Sequence, residues 1–448
     1  MTDVAIPDST DSSAAEGKLL RVIGTWGLAA SIVNVTVGGG IFRVPGSRDV
    51  TGLLGGAAPL AYIACALLMG LIVLCIAQAG SRVSLTGGPY AYVEATLGPY
   101  VGFLVGVLLW LIGATAIPGV ATIFADAAGS LVPALAGWGG RAFFLAVMFS
   151  IVSAINIRGV RQGTRLNLVF TVAKLAPLLL LLVVGLFAVH GDNLRWTTGA
   201  PSASNLSRAS IILIFIYAGV ESALVPSGEV RDSSRTVPRA VMLAMAGITV
   251  LYLGLQVVAQ GVLGPALVGD TTPLASAAAK VFGASGKTMI SVGLMISAFG
   301  YLSGMMLAAP RALFAFARDG LLPRQLASVH PRFHTPWVAI VAQAVVGWAL
   351  AVTNKFESLV IIANISVLLI YLGCAIAAFM LLRGAGDGTR PGGFRLPGGA
   401  LVPIAASVAC LYLLSSATLK EAGVLVIVLG AASLLYFMVQ RGRATSSR

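Results

Sequence analysis

The chain has 448 residues, of which 58% are hydrophobic and only 10% are charged, and its mean hydropathy is +0.94. This balance excludes a soluble globular domain and indicates a protein that crosses a membrane several times. The net charge of +13 could indicate nucleic-acid binding, but the basic residues lie mainly between apolar segments, which favours a role in membrane orientation.

Apolar segments long enough for a membrane-spanning helix, about 20 residues, recur along the chain. We therefore predict an all-α polytopic membrane protein with twelve transmembrane spans. The spans are predicted at roughly 20–49, 53–80, 89–124, 138–157, 164–189, 206–228, 237–263, 285–317, 337–353, 357–383, 397–416 and 421–440. With the N-terminus inside, the predicted cytoplasmic segments hold 19 of the 29 basic residues and the opposite side holds 9. This bias predicts that both termini are cytoplasmic, and we expect the protein to lie in the inner (plasma) membrane.

Three adjacent glycines, Gly38, Gly39 and Gly40, interrupt the first span. Each glycine disfavours a helix by roughly 1 kcal/mol relative to alanine, so we expect the helix to open here. An opened helix exposes backbone N–H and C=O groups, which the membrane interior tolerates only where protein buries them or they line a cavity. The triplet is therefore a candidate binding site.

The fifth span contains a charged residue, Lys174, nine residues after Arg165. At ~1.5 Å per residue it lies roughly 13 Å inside a hydrocarbon core about 30 Å thick, which is deep for an ammonium group that must reach the interface. A charge at this depth favours a functional role. We predict one of two partners for it: backbone carbonyl groups freed where the first span opens, or a hydroxyl such as that of Ser303 on the eighth span.

The sixth span is interrupted in a similar way by Ala218 and Gly219, followed by the carboxylate of Glu221. A carboxylate at this depth is costly unless it is paired, protonated or wetted, so structural and functional roles for Glu221 both stay open. If each half of the chain contributes five spans, the odd number inverts the second half, and spans one and six become counterparts. Matching interrupted helices in two inverted halves predict a binding site between them.

Several segments resemble those of the amino acid–polyamine–organocation (APC) transporters. The segment 38–42 (GGGIF) is similar to the first-helix signature of that family, 215–239 to its sixth helix and following loop, and 318–323 (RDGLLP) to its cytoplasmic Asp-Gly-x-x-Pro motif. The resemblance covers nearly the whole chain. It implies a five-plus-five inverted-repeat (LeuT-like) fold with discontinuous helices 1 and 6, and amino acid transport by alternating access.

The same resemblance divides the chain into parts. It implies a first inverted repeat at 18–190, a second at 205–383, and two added spans at 396–440. The polar, acidic segment 1–17 is expected to be a disordered cytoplasmic tail, and 441–448 a second cytoplasmic tail.

The resemblance also implies a role for each site residue. Backbone amides from Gly38 to Ile41 would bind the substrate carboxylate, which agrees with the affinity of clustered N–H groups for anions. Carbonyl groups near Phe215, Ala218 and Gly219 would bind the substrate ammonium group. The ring of Phe215 would act as a gate over the substrate.

Lys174 matches a fifth-helix lysine that, in many sodium-independent members of the family, occupies the space of a sodium ion. With Ser303 nearby as a further part of this position, the match predicts sodium-independent transport. Whether Lys174 or Glu221 carries a coupled proton, and whether transport is symport or exchange, stays open.

The sequence around Glu221 resembles that of arginine–agmatine exchangers, in which a glutamate responds to pH. Those exchangers generally lack the fifth-helix lysine, and Met305 stands roughly where they have a tryptophan. We favour a neutral amino acid as substrate, with Ile32, Ile41 and Met305 as an apolar pocket for its side chain. A cationic amino acid or an amine, assisted by Glu221, is the alternative.

Other classes fit the sequence less well. An intramembrane enzyme needs a nucleophile and base or metal ligands within the spans, but His190, His330 and His334 all fall in predicted loops. The chain is therefore predicted not to be an enzyme, with no cofactor and no metal. A channel and a non-transporting amino acid sensor stay as alternatives. The predicted partners are an amino acid and membrane lipid, without nucleic acid; a role for protons and the oligomeric state are left open.

Overall fold

The computed structural model describes residues 24–82, 89–158, 164–196, 199–220, 230, 233–318, 322–384, 394 and 396–446. The regular elements of these residues are helices. The predicted tail at 1–17, the carboxylate of Glu221, and residues 319–321 of the predicted RDGLLP motif lie outside them.

Fourteen α-helices occur in the described residues. In chain order they are α1 (Thr25–Thr36), α2 (Ala58–Arg82), α3 (Pro89–Leu97), α4 (Pro99–Leu131), α5 (Trp138–Arg158), α6 (Thr164–Gly185), α7 (Ala203–Tyr217), α8 (Ser233–Leu263), α9 (Pro273–Phe282), α10 (Ala284–Arg318), α11 (Trp337–Thr353), α12 (Phe356–Leu382), α13 (Leu401–Leu414) and α14 (Leu419–Ser446). Four short helical turns, Gly40–Phe42, Val44–Gly46, Arg48–Gly52 and Gly55–Ala57, lie between α1 and α2.

Seven helices in the described part of the chain are long and apolar enough to cross a membrane, and a pair bent by 49°, Thr25–Thr36 with Gly40–Gly52, makes an eighth. The other four predicted spans, the fifth, sixth, ninth and eleventh, correspond to shorter apolar helices. These are Val172–Ala188, Ala203–Tyr217, Trp337–Thr353 and Leu401–Leu414. The protein is therefore an all-helical, multi-pass membrane protein.

The predicted third span, 89–124, is divided in the structure. The short helix α3 ends at Leu97, Gly98 adopts a φ of +87°, and α4 begins at Pro99 and continues to Leu131. Glycine accepts this positive φ without steric cost, and proline is well suited to the first turn of a helix. The connection between the seventh and eighth spans also contains a helix, α9, that the sequence reading did not predict.

The first span opens where its glycines lie. The last helical residue of α1 is Thr36, and the chain resumes a helical turn at Gly40. In a continuous helix the Gly38 N–H would donate to the Asn34 carbonyl four residues earlier. Here it donates to Thr36 O at 2.8 Å instead, so it does not make the usual helical bond to the Asn34 carbonyl.

The sixth span opens in the same way at its own glycine. The helix α7 ends at Tyr217, Ala218 is extended with ψ 152°, and Gly219 has a φ of +124°. Few residues other than glycine adopt this conformation. The chain from residue 221 to 229 lies outside the described residues.

Long helices hold the two interrupted segments in place. The helix α8 packs against α1 and α2, and α7 packs against α2 and α12. The helix α4 packs against both α10 and α12. The two breaks are therefore enclosed by packed helices, as exposed backbone in a membrane requires.

Candidate functional site

A small cavity of about 50 Å³ lies between the two helix breaks. Both breaks contribute to its walls, together with α4, α10 and α12. Its lining residues are Val35, Thr36, Gly38, Gly39 and Gly40 at the first break, Phe215, Ile216, Ala218 and Gly219 at the second, and Ile112, Ala116, Val120, Tyr301, Met305, Ala363, Asn364 and Val367 on the long helices. None of these residues is charged at neutral pH.

The structure brings together most of the residues that the sequence predicted for substrate binding. Seven of them line the cavity: Gly38, Gly39, Gly40, Phe215, Ala218, Gly219 and Met305. Ile41 and Ile32 are fully buried in the hydrophobic core, and neither is among the lining residues. Glu221 lies outside the described residues, so its role stays a prediction.

The two breaks touch each other directly. A Cβ atom added to Gly40 would lie 2.8 Å from Phe215 Cδ1 and 2.9 Å from Ile216 Cγ2. A Cβ atom added to Gly219 would lie 3.3 Å from both the backbone N and Cα of Thr36. Glycine at both positions therefore permits an approach that any side chain would obstruct, and it leaves backbone groups at the cavity wall.

Lys174 joins α6 to the broken end of α1. Its side chain is buried, and Nζ donates a hydrogen bond to the carbonyl oxygen of Asn34. This is the carbonyl that the Gly38 N–H leaves when the helix opens. The ammonium group thus compensates the break, which agrees with one of the two partners predicted for it. Ser303, the other predicted partner, is buried on α10.

Two aromatic rings and an arginine form layers on one side of the cavity. The ring of Phe215 meets the ring of Phe356 edge-on, with centroids 5.6 Å apart. The guanidinium carbon of Arg43 lies 5.9 Å from the centroid of Phe356. These contacts connect the cavity wall to a charged region at the start of α12.

In that charged region, Arg43 binds two carboxylates from different helices. It donates to Asp126 of α4 at 3.3 Å and to Glu357 of α12 at 3.1 Å, and Asp126 also accepts from Arg141 of α5. The side chains of Arg43 and Asp126 are only 12% and 16% exposed. Partly buried pairs are screened less by salt than surface pairs. We define these residues and Phe356 as the Arg43 cluster.

Comparison with known families supplies the deciding observation about identity. The profile of the amino acid permease family matches residues 23–440. The chain belongs to the amino acid permease family. The permease is therefore a membrane transporter by family and not an enzyme, in agreement with the sequence prediction and with the resemblance to APC transporters.

Curated relatives of the permease cover nearly its whole length. A methylthioribose transporter of Bacillus subtilis is 30% identical over 97% of both chains. The serine/threonine exchanger SteT of the same organism is 30% identical over 90% of this chain and 92% of its own. The branched-chain amino acid permease BcaP of B. subtilis is 24% identical over 92% of this chain and 91% of its own.

The sequence prediction missed two parts of the permease site. Asn364 lines the cavity, and the Arg43 cluster lies beside it. Asn364 had a signal, since an amide within an otherwise apolar span needs a partner and so deserves the same scrutiny as a charge. The pairing of Arg43 with Asp126 and Glu357 had no sequence signal, because these carboxylates lie 83 and 314 positions away from Arg43 in the chain.

Proposed function

We propose that the permease is a sodium-independent secondary transporter that moves a neutral amino acid by alternating access. The observation that carries this proposal is the cavity at the contact of the two helix breaks, with Lys174 bound to the Asn34 carbonyl at the first break. Membrane-embedded helix breaks around a cavity are the typical substrate sites of secondary transporters.

The proposal includes the finer architecture and orientation. We infer twelve spans, of which ten form two inverted repeats of five at 18–190 and 205–383 and two more lie at 396–440. We place the protein in the inner membrane with both termini in the cytoplasm. The two interruptions at equivalent positions, spans one and six, support the repeat. The excess of basic residues in alternate loops supports the orientation.

The substrate would be bound at both ends by backbone groups. Amides from Gly38 to Ile41 are proposed to hold the carboxylate, and carbonyls near Ala218 and Gly219 the ammonium group. Partial charges on backbone groups at helix ends suit ligands of these signs. This arrangement recognises the part that all α-amino acids share and leaves the cavity walls to select the side chain.

Lys174 is proposed to make sodium unnecessary. In its protonated form its ammonium group supplies a positive charge at the Asn34 carbonyl, at a position where a sodium ion would otherwise bind. Ser303 is assigned to the same region. Coupling is proposed to be to protons or to a counter-substrate, with Lys174 and Glu221 as the candidate proton carriers.

The Arg43 cluster is proposed to close the outer side. In the proposed orientation Arg43, Asp126 and Glu357 lie toward the outside, and Phe215 lies between them and the cavity. Opening requires these ion pairs to separate, since they link the first span to α4 and α12. In alternating access, breaking and forming a few contacts between helices opens a fixed binding site to one side of the membrane at a time.

A neutral substrate is favoured by the cavity walls and by the relatives. No lining residue that the structure describes is charged, and a cationic side chain would lose hydration without a carboxylate partner there. SteT and BcaP are named for amino acids with uncharged side chains. The cationic alternative rests on Glu221. The methylthioribose transporter adds a second candidate, a neutral compound that is not an amino acid.

The proposal is tested by uptake into proteoliposomes that contain the purified protein. We expect saturable uptake of one or a few neutral amino acids, stimulated by the same amino acid inside the vesicle, and unchanged when sodium is replaced by choline. Counterflow distinguishes a carrier from a channel. A strict sodium requirement would remove the role given to Lys174, and uptake of arginine or amines alone would select the cationic alternative.

Replacing Phe215 with alanine tests the gate. We expect Phe215→Ala to lower uptake about fivefold, because the ring lines the cavity and contacts Phe356, and such a ring contact is worth about 1 kcal/mol. Phe149→Ala is the matched control, since Phe149 is buried on α5 and does not line the cavity. If both variants are folded and Phe215→Ala has wild-type kinetics, Phe215 is not the gate.

A further inference from the structure

Two polar side chains in the cavity wall have an atom without a hydrogen-bond partner among the residues that the structure describes. These atoms are Thr36 Oγ1 and Asn364 Oδ1. Thr36 is 3% exposed and Asn364 is 1% exposed, so bulk water does not compensate them. Buried polar atoms nearly always have partners, and an exception in a ligand cavity indicates a group that the ligand satisfies.

Two other buried hydroxyls on the helices that line the cavity are satisfied by their own helices. Thr115 Oγ1 donates to Leu111 O at 2.8 Å, and Ser366 Oγ donates to Ile362 O at 2.9 Å. This bond to the preceding turn is the usual solution for a hydroxyl in an apolar helix. Thr36, the last residue of α1, does not use it, although it lies in a helical turn.

The chemistry of the two atoms defines what they can bind. Asn364 Nδ2 donates to Ile211 O at 2.5 Å, which leaves Oδ1 as an acceptor only. The Thr36 hydroxyl can both donate and accept. A ligand hydroxyl can donate to Asn364 Oδ1 and accept from Thr36. A carboxylate cannot donate to Asn364, an ammonium group cannot accept from Thr36, and a methyl group can do neither.

We propose that Thr36 and Asn364 select a neutral amino acid that carries a hydroxyl group in its side chain. This inference rests on the proposed transport function and adds the substrate class to it. Backbone groups at the two breaks bind the common amino acid part, and the Thr36–Asn364 pair reads the side chain. A site that hydrogen-bonds a substrate hydroxyl rejects the analogue without it, because its own polar groups are then left unpaired.

Threonine and valine provide the test, because they have nearly the same shape and differ by a hydroxyl in place of a methyl group. Each is added unlabelled to compete with labelled threonine for uptake into proteoliposomes. We expect threonine to compete at least about tenfold more strongly than valine in the wild-type protein. In Thr36→Val and in Asn364→Leu we expect this ratio to fall at least about fivefold, through weaker competition by threonine.

Matched controls separate the pair from general effects of losing a buried polar group. Thr115→Val removes a buried hydroxyl that does not line the cavity, and Asn156→Leu removes a buried amide on α5 whose Oδ1 also lacks a partner among the described residues. Both controls should keep the wild-type ratio. Thr36→Val should not lower the Tm, since the hydroxyl it removes has no described protein partner.

The outcomes distinguish this inference from the proposed function. Equal competition by threonine and valine in the wild-type protein would overturn the hydroxyl selectivity while leaving amino acid transport in place, and would indicate that water satisfies the two atoms. An unchanged ratio in folded Thr36→Val and Asn364→Leu would overturn the assignment to these residues. The absence of uptake of every amino acid would overturn the proposed function and this inference with it.

Discussion

Lys174→Ala is expected to lower amino acid uptake at least about tenfold in proteoliposomes. The ammonium group donates to the Asn34 carbonyl that the first helix break leaves without its usual donor. Hydrogen bonds that involve a charged group contribute about 1.5–3 kcal/mol, and this variant loses one of them. The broken end of α1 would then lose its connection to α6, and the site at Gly38 to Gly40 would lose its geometry.

The measurement is the initial rate of uptake per amount of folded protein, with and without sodium. Lys280→Ala is the control, because Lys280 is an exposed lysine on α9. It should transport at the wild-type rate. Uptake by Lys174→Ala within about twofold of wild type would show that the bond to Asn34 is not required. A twofold change in rate is well below the change expected from loss of a charged hydrogen bond.

Gly219→Ala is expected to have the second largest effect, a loss of uptake of at least about tenfold. The φ of +124° at Gly219 is one that a residue with a side chain rarely adopts, and such strain costs about 1–3 kcal/mol. The added Cβ would also lie 3.2 Å from Val35 Cγ1 and 3.3 Å from the backbone of Thr36. Both effects push the second break away from the first.

Gly247→Ala is the matched control, because Gly247 lies in the interior of α8 and an added Cβ would meet nothing within 4 Å. Alanine there should keep uptake unchanged and raise helix stability slightly. Uptake and Tm of both variants are compared with wild type. If Gly219→Ala transports normally, the close contact of the two breaks is not needed for function.

The sequence alone was sufficient for the features that depend on local chemistry. Adjacent glycines weaken a helix wherever they occur, so the opening at Gly38 to Gly40 was predictable, and so was that at Gly219. The position of Lys174 within an apolar span was informative for the same reason, since the cost of burying a charge is a property of the residue and its depth. Multi-pass membrane architecture and the permease family followed from apolar length and motif order.

Features that depend on packing between distant segments were decided only by the tertiary structure. The sequence left two partners for Lys174, and the structure shows the bond to Asn34, 140 residues away. The sequence analysis predicted Ile41 in the pocket, but the fold buries that side chain in the core. The sequence also gave no indication of the Arg43 cluster. Local propensity determines where a helix opens, whereas the neighbours of the opened ends depend on how the helices pack.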